Sequence, residues 1–417
     1  MRNLLVPIIS LLVSHALLGL GHGLQNTLIG VRGSIANYAD FQMGLMMSAY
    51  FLGVTIGTRF SEKIILKIGH IRCFAAFASL ASIVPLLHGI FLDPFVWCGL
   101  RFVYGICAAS LFVVIESWLN AHAQPQNRGR LLAIYFIINF TSLAVGQAFL
   151  MFIPPEGFIL FALISILLTL ALVPLTLSEG KSQPKIFLST PLSLKRLYVI
   201  SPLSIIGCFL NAIAQGAFFG LAALAFSKLQ FSPADVAKLI SITFVGGLLC
   251  QWPIGWLSDR WERSKTIVLV LFVTILLSIF LTIILSSSAA HSPSLVLFVS
   301  ISLFGGMSFT LYSLFVALAN DYLEPQQIMK ASSSLIACNA FGSLLGPFFS
   351  AFFLHLYGGV GLFYFIALMY VLTFFFAVFR MLHSRRKKRD LHHSFVPIVS
   401  AGVSLWSEQK KDHENKD

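Results

Sequence analysis

The chain repeats one feature down almost its whole length: an apolar run about as long as a bilayer is thick, ended by a charged or Pro/Gly-rich break. A helix needs about 20 apolar residues to cross the roughly 30 Å hydrocarbon layer, and inside that layer its backbone polar groups must be satisfied within the helix. Twelve such runs can be marked, near 4–30, 42–64, 71–91, 96–120, 130–152 and 157–177, then 199–226, 235–257, 266–287, 294–320, 329–354 and 359–382. Composition agrees, with 57% hydrophobic residues, 11% charged residues and a mean hydropathy of +0.87, far from a soluble domain. The expected fold class is all-α: a polytopic membrane protein of twelve transmembrane helices with no large soluble domain.

The first run has a rival reading. Arg2, the apolar stretch from Leu4 to Val13 and the small-x-small triplet Ser14, His15, Ala16 imitate a cleavable signal peptide. Hydrophobicity continues through Ile29, however, and removing the segment would leave eleven helices and an incomplete first half. It is therefore expected to stay as a helix.

Lysine and arginine placement sets the orientation, because basic residues near helix ends are retained in the cytoplasm. With both termini inside, the cytoplasmic segments and tail hold 24 of the 28 basic residues, and the outside loops hold only Arg32, Lys228 and Lys238. This places both termini in the cytoplasm of a bacterium and the chain in its inner membrane. The net charge of +12 then reflects orientation and gives no reason to expect nucleic acid as a partner. The run RRKKR, Arg385 to Arg389, reads either as a stop-transfer signal or as a contact for anionic lipid of the bilayer. The six cysteines lie in or beside apolar runs without CxxC spacing, which suggests neither a disulfide framework nor a metal site. No cofactor is implied.

The chain also resembles itself. A shift of 200 places Asn120 on Asn320, Pro125 on Pro325 and Gly146 on Gly346, and a shift of 193 places Phe51 on Phe244 and Gly53 on Gly246. Both shifts span about six helices, so a six-helix unit is duplicated in parallel. Residues 1–177 form the first half, 178–198 a cytoplasmic loop, 199–382 the second half, and 383–417 a basic tail expected to be disordered and cytoplasmic.

One stretch is specific. QWPIGWLSDRWERSK, Gln251 to Lys265, begins apolar and ends in Asp259, Arg260, Glu262, Arg263 and Lys265. Its GWLSDRWER resembles the cytoplasmic signature of the major facilitator superfamily between the second and third helices of each half. The resemblance implies a cytoplasmic latch of Gly255, Asp259, Arg260 and Arg263, where a carboxylate near a helix end meets exposed amides and arginines. A mere positive-inside loop would account for the bases but not for Asp259. In the first half the corresponding segment keeps Lys67, Gly69 and Arg72 but has Leu66 where the family has aspartate, so the first latch is expected to be weaker unless Glu62 substitutes. RFVYGICAA, with Arg101, Gly105 and Ala109 on one helical face, and GQWPIG and IESWLNAHAQPQNRGRLLAIY further resemble the bacterial branch of the superfamily that includes the YcaD-like transporters. The resemblance spans most of residues 1–382. It implies a secondary active transporter, with helices 1, 4, 7 and 10 around a central cavity, a small-molecule substrate and protons as the coupling ion, acting as a monomer.

Polar residues inside the runs supply the candidate site. Arg101 is a charge in the membrane, read as a coupling residue or as a gate salt bridge or interfacial snorkel. Glu116 lies 15 residues on, about 22 Å along the helix, so it cannot touch Arg101. It carries protons or pairs with Lys67, Arg72 or Arg130. His15, His22 and Asn26 fall within about 40° of one another on the first helix, and Asn211 and Gln215 share a face of the seventh. These, with Asn139, Tyr312 and Asn339, are the cavity candidates, and His22 is also a coupling candidate because histidine titrates near physiological pH. Each could instead satisfy itself against a neighbouring backbone. GLGHG, Gly19 to Gly23, lacks the strand and sixth-position glycine of a dinucleotide loop. No P-loop, HExxH or GxSxG is present, so an ATP-driven pump or familiar intramembrane hydrolase is not indicated. A receptor or scaffold on a transporter fold, and an unfamiliar intramembrane enzyme, stay open as alternatives. The superfamily's antiporter Gly-Pro pair is not on helix 5, where Gly146 and Gln147 stand, so the direction of transport is unread.

Overall fold

In a computed structural model, residues 2–122, 128–177, 193–287 and 293–383 are described. The inter-half loop up to residue 192 and the tail from residue 384, including Arg385 to Arg389, lie outside the described residues.

Apolar sequence and local stop signals fix the elements. The first half comprises α1 (Arg2–Ile35), α2 (Asp40–Ile68), α3 (His70–Ile90), α4 (Pro94–His122), α5 (Arg128–Gln147), α6 (Ile159–Leu170) and α7 (Leu172–Thr176). A short α8 (Leu194–Ile200) precedes the second half, α9 (Pro202–Lys228), α10 (Pro233–Arg260), α11 (Arg263–Ser286), α12 (Leu295–Asn320), α13 (Pro325–Tyr357) and α14 (Gly361–His383). Among the described residues these make twelve crossings, with α6 and α7 forming the sixth. The sixth run was expected to be continuous. It breaks at Ala171 because Pro174 has no N–H to give the carbonyl four residues back.

Asp93 caps α4 by accepting from the amides of Phe95 and Val96, both at 2.9 Å, and Ser232 and Ser294 cap α10 and α12 in the same way. Gly69, at φ 86°, joins α2 directly to α3 in a backbone conformation that favours glycine. Among the described residues ten stretches are long and apolar enough to cross a membrane; one of them, residues 330–383, covers both α13 and α14, and α2 is the crossing not among them. The exposed large side chains, among them Phe95, Ile283, Trp252 and Phe352, are apolar, as a bilayer-facing surface requires.

Inside each half, helices cross where glycine removes the side chain. A Cβ on Gly53 would stand 2.1 Å from the Phe102 carbonyl oxygen, and one on Gly105 2.1 Å from that of Tyr50, so α2 and α4 touch backbone to backbone. A Cβ on Gly246 would stand 1.8 Å from the Ser302 carbonyl oxygen and one on Gly305 2.3 Å from that of Thr243, giving the same crossing between α10 and α12. Gly23 and Gly146 bring α1 onto α5 at Leu143 and Leu20, while Gly216 and Gly346 bring α9 onto α13 at Ser343 and Ile213. Every one of these positions maps onto its counterpart by a shift of 193 or 200. The duplication read from scattered identities is thus a duplication of contacts.

The bundle has a proximal end, where α2 meets α3 and α10 meets α11, and a distal end, where α1 meets α2 and α9 meets α10. Named contacts between the halves gather toward the distal end. Gly30 packs on Ala223, and Gly44 on Pro347 and Ala351. Phe41 meets Phe348 edge-on, and Ser241 donates to the Ala144 carbonyl at 2.8 Å. There Asp40 pairs with Lys228 at 2.5 Å and lies 3.9 Å from His355, crossing from α2 to α9 and α13.

Candidate functional site

The first half holds a connected polar cluster between α1, α2 and α4. Arg101 is 1% exposed. Its Nη2 donates to Asn26 Oδ1 at 3.0 Å and contacts Met47 Sδ at 3.5 Å, while the Tyr50 ring covers the guanidinium with its centroid 4.3 Å away. Arginine has no acceptor, so the oxygen of Asn26 must face it, which turns the amide nitrogen toward His22 Nε2 at 3.1 Å. That assigns Nε2 as an acceptor and leaves the proton on Nδ1, 3.3 Å from the Tyr104 hydroxyl. The Tyr50 hydroxyl also stands 3.3 Å from Nε2. His22 in this arrangement is neutral and fully engaged.

A second cluster lies further toward the proximal end. Tyr135 donates to Glu116 Oε1 at 2.9 Å, and the His15 ring stacks on that of Tyr135 at 4.4 Å. Glu116 and Asn139 are buried, and His15 is completely so. Phe112 stands edge-on to both His15 and His22, each at 5.8 Å, and separates the two clusters. Glu116 makes no ion pair among the described residues. The exposed bases Lys67, Arg72 and Arg130, considered as its partners from sequence, are not brought to it; a tyrosine is.

The second half gathers neutral groups instead. Gln215 donates to the Ser308 carbonyl at 3.0 Å, and Tyr370 reaches the Ser308 hydroxyl at 2.5 Å and Asn211 Oδ1 at 3.4 Å. Tyr312 and Asn339 are buried on α12 and α13. Between the halves, a cavity of ≈ 30 Å³ is lined by Asn26 and Thr27 of α1, Gln147 of α5 and Phe218, Phe219 and Phe244 of α9 and α10.

At the proximal end the charged signature closes on itself. Arg263 is 1% exposed. It donates to Asp259 at 3.0 Å, to Ser258 at 3.1 Å and to the Ala317 carbonyl at 3.0 Å, and forms a short ion pair with Asp321. One arginine therefore ties the start of α11 to the ends of α10 and α12. Arg260 lies over the Trp256 ring at 4.1 Å, and Gly255 is buried in α10. In the first-half counterpart, the contacts among the described residues are neutral: His70 Nε2 meets the Ser117 hydroxyl at 3.1 Å and packs on Trp118, while Lys67 and Arg72 are exposed.

Tyr50, Tyr104, Tyr135 and Tyr370 were not singled out from sequence. Tyrosine is as common at membrane interfaces as in polar networks. The available signal was position: Tyr104 lies three residues from Arg101 on the same face of α4.

A bundle of twelve crossings in two like halves, each with a buried arginine, is the architecture of a membrane transporter. The Major Facilitator Superfamily profile matches residues 11–310 and 204–413, and the chain belongs to that family. It is 30% identical over 372 residues to the uncharacterized MFS-type transporter YcaD of Salmonella typhimurium, a match that takes in 87% of this chain and 92% of the relative. A similar transporter of Enterobacter sp. (strain 638) is 29% identical over 367 residues, covering 87% and 92%. Among solved structures, the nucleoside transporter NupG superposes with a TM-score of 0.68 at 13% identity, over 93% of this chain and all of that one. A bacterial homologue of the lysosomal transporter Spinster, crystallised inward-facing, gives 0.69 at 14%, over 92% and 99%. These likenesses establish the fold.

Proposed function

We propose that the protein is a secondary active transporter that moves a small solute across the bacterial inner membrane by alternating access, coupled to protons. In this reading the proximal end, with both termini, is cytoplasmic, and the working unit is a monomer. The two halves, divided at residues 178–198, rock against each other.

The observation that carries the coupling is Glu116. It is a buried carboxyl toward the proximal end of α4, paired with a hydroxyl and not with a base, and its Oε2 has no hydrogen-bond partner among the described residues. A group so placed is far easier to bury neutral than charged, so it takes up and releases a proton as its surroundings open and close. His15 and His22 continue titratable groups along α1, with Phe112 between them as the barrier to free proton leak. The cross-half contacts at the distal end are those expected of a transporter closed on its outer side.

The test is reconstitution into vesicles loaded with a pH-sensitive dye, screened with organic acids, sugars, amino acids and amphipathic drugs. Solute-dependent proton movement is expected in the native protein. Glu116→Gln should lose accumulation driven by a pH gradient while keeping exchange of labelled for unlabelled solute. A Glu116→Gln protein that accumulated solute at the native rate with native pH dependence would remove Glu116 from the coupling.

A further inference from the structure

We propose that the substrate is a small organic monocarboxylate with an apolar or aromatic body, its carboxylate held by Arg101. The term substrate rests on the transporter reading above; the binding site itself does not.

Arg101 is a permanent cation, completely enclosed at membrane depth. Its Nε and Nη1 have no acceptor among the described residues, and it takes part in no ion pair among them. Asp93 lies eight residues earlier on the same helix, about 12 Å along it, and its Oδ1 is taken up in capping α4. Glu116 is further still, on the other side of Phe112. The groups that do surround the guanidinium are Asn26, Met47, Tyr50 and Tyr104, with His22 behind Asn26, and none carries a negative charge in this arrangement. A buried cation without a counter-charge is strongly disfavoured.

Packing does not require it. The crossing of α2 and α4 at Gly53 and Gly105 is reproduced by α10 and α12 at Gly246 and Gly305, and there Ile301 occupies the position of Arg101. The same scaffold thus stands without the charge, so the charge serves something other than the scaffold.

The surroundings also select the anion. One fixed cation balances one negative charge. Tyr50 covers one face of the guanidinium, so an anion approaches in its plane, where Nε or Nη1 together with the second N–H of Nη2, now turned to Met47 Sδ, can present two parallel hydrogen bonds to a planar carboxylate. Beyond it lie Phe112 and, across the half boundary, Phe218, Phe219 and Phe244, which suit an apolar body. The ≈ 30 Å³ cavity beside Asn26 has room for about one water, so an organic acid enters when the halves part.

The experiment uses the full-length purified protein and reads the thermal unfolding midpoint with benzoate, phenylacetate and branched aliphatic carboxylates, each against its carboxamide. Carboxylates should stabilise the native protein and carboxamides should not. Arg101→Gln should weaken that binding about tenfold or more, and Arg101→Lys should keep part of it. Asn26→Asp supplies a counter-charge from within: it should raise the unliganded midpoint and abolish the response to carboxylates. Stabilisation by carboxamides equal to that by carboxylates, an Arg101→Gln variant that responds normally, or no response of the native protein to any carboxylate would overturn the proposal. So would an unliganded Arg101→Gln protein clearly less stable than native, which would show the charge to be structural. Carboxylate binding without flux in vesicles would leave the site standing and count against the transporter reading; flux of a neutral or cationic solute would do the reverse.

Discussion

In the first half, α2 and α4 cross at Gly53 and Gly105; in the second, α10 and α12 cross at Gly246 and Gly305, with carbonyl oxygens at matching places. Around that shared crossing the side chains diverge. Arg101, Tyr50 and Tyr104 in the first half correspond to Ile301, Thr243 and Phe304 in the second, and His22 corresponds to Gln215. At the proximal end the contrast is reversed. Leu66, His70 and Ser117 stand where the second half has Asp259, Arg263 and Ala317, so the first half joins its helices with a neutral hydrogen bond and the second with a buried ion network. Backbone contact was kept in both copies, while charge was moved to the middle of one and to the end of the other.

The largest effect that would break this comparison is at the fastening. Arg263→Met leaves Asp321 buried without its cation, which should cost about 3–5 kcal/mol, whereas His70→Leu removes one neutral hydrogen bond at about 1 kcal/mol. Unfolding midpoints in detergent of the two variants measure this directly, and equal losses would mean that the halves are fastened alike. Next in size, Gly53→Ala and Gly246→Ala should be damaging to a similar degree, about 1–3 kcal/mol or more each, because each pushes a Cβ into a carbonyl oxygen. Tolerance of alanine in one half alone would show that the duplicated crossing is used differently. The smallest effect concerns the contact between halves. Asp40→Asn removes a partly exposed pair with Lys228 worth up to about 1 kcal/mol, so labelling of a cysteine placed at Ser34, which lines the distal cleft, should rise by up to about fivefold. Unchanged labelling would mean that small-residue packing alone holds that end shut.

Much of this was legible in sequence because membrane insertion imposes long apolar runs, and because duplication leaves equal spacings. The twelve crossings, the two halves, the buried Arg101 and the charged end of α10 all follow from such patterns. What was not legible is pairing across distance. Arg263 finds Asp321 58 residues away, and Glu116 finds Tyr135 on the next helix rather than a base in a loop. Spacing within one helix says which face a residue occupies, but the rotation of its neighbour, set by glycine contacts, decides what it meets. His22 and Asn26 could be placed on one face from sequence, yet the direction of the Asn26 amide follows only once Arg101 is known to sit against its oxygen.

The distal joint has a consequence in conformational entropy. Its contacting residues include Gly30 against Ala223 and Gly44 against Ala351, side chains with essentially no rotamers to lose. Surfaces of this kind can separate and meet again without freezing side-chain motion each time. A joint lined with long flexible residues would resist reclosure by the rotamer freedom they had gained. The side chains at that joint with rotamers to lose are Phe41 and Phe348, which meet edge-on, Ser241, and Lys228 and His355, the flexible partners of Asp40.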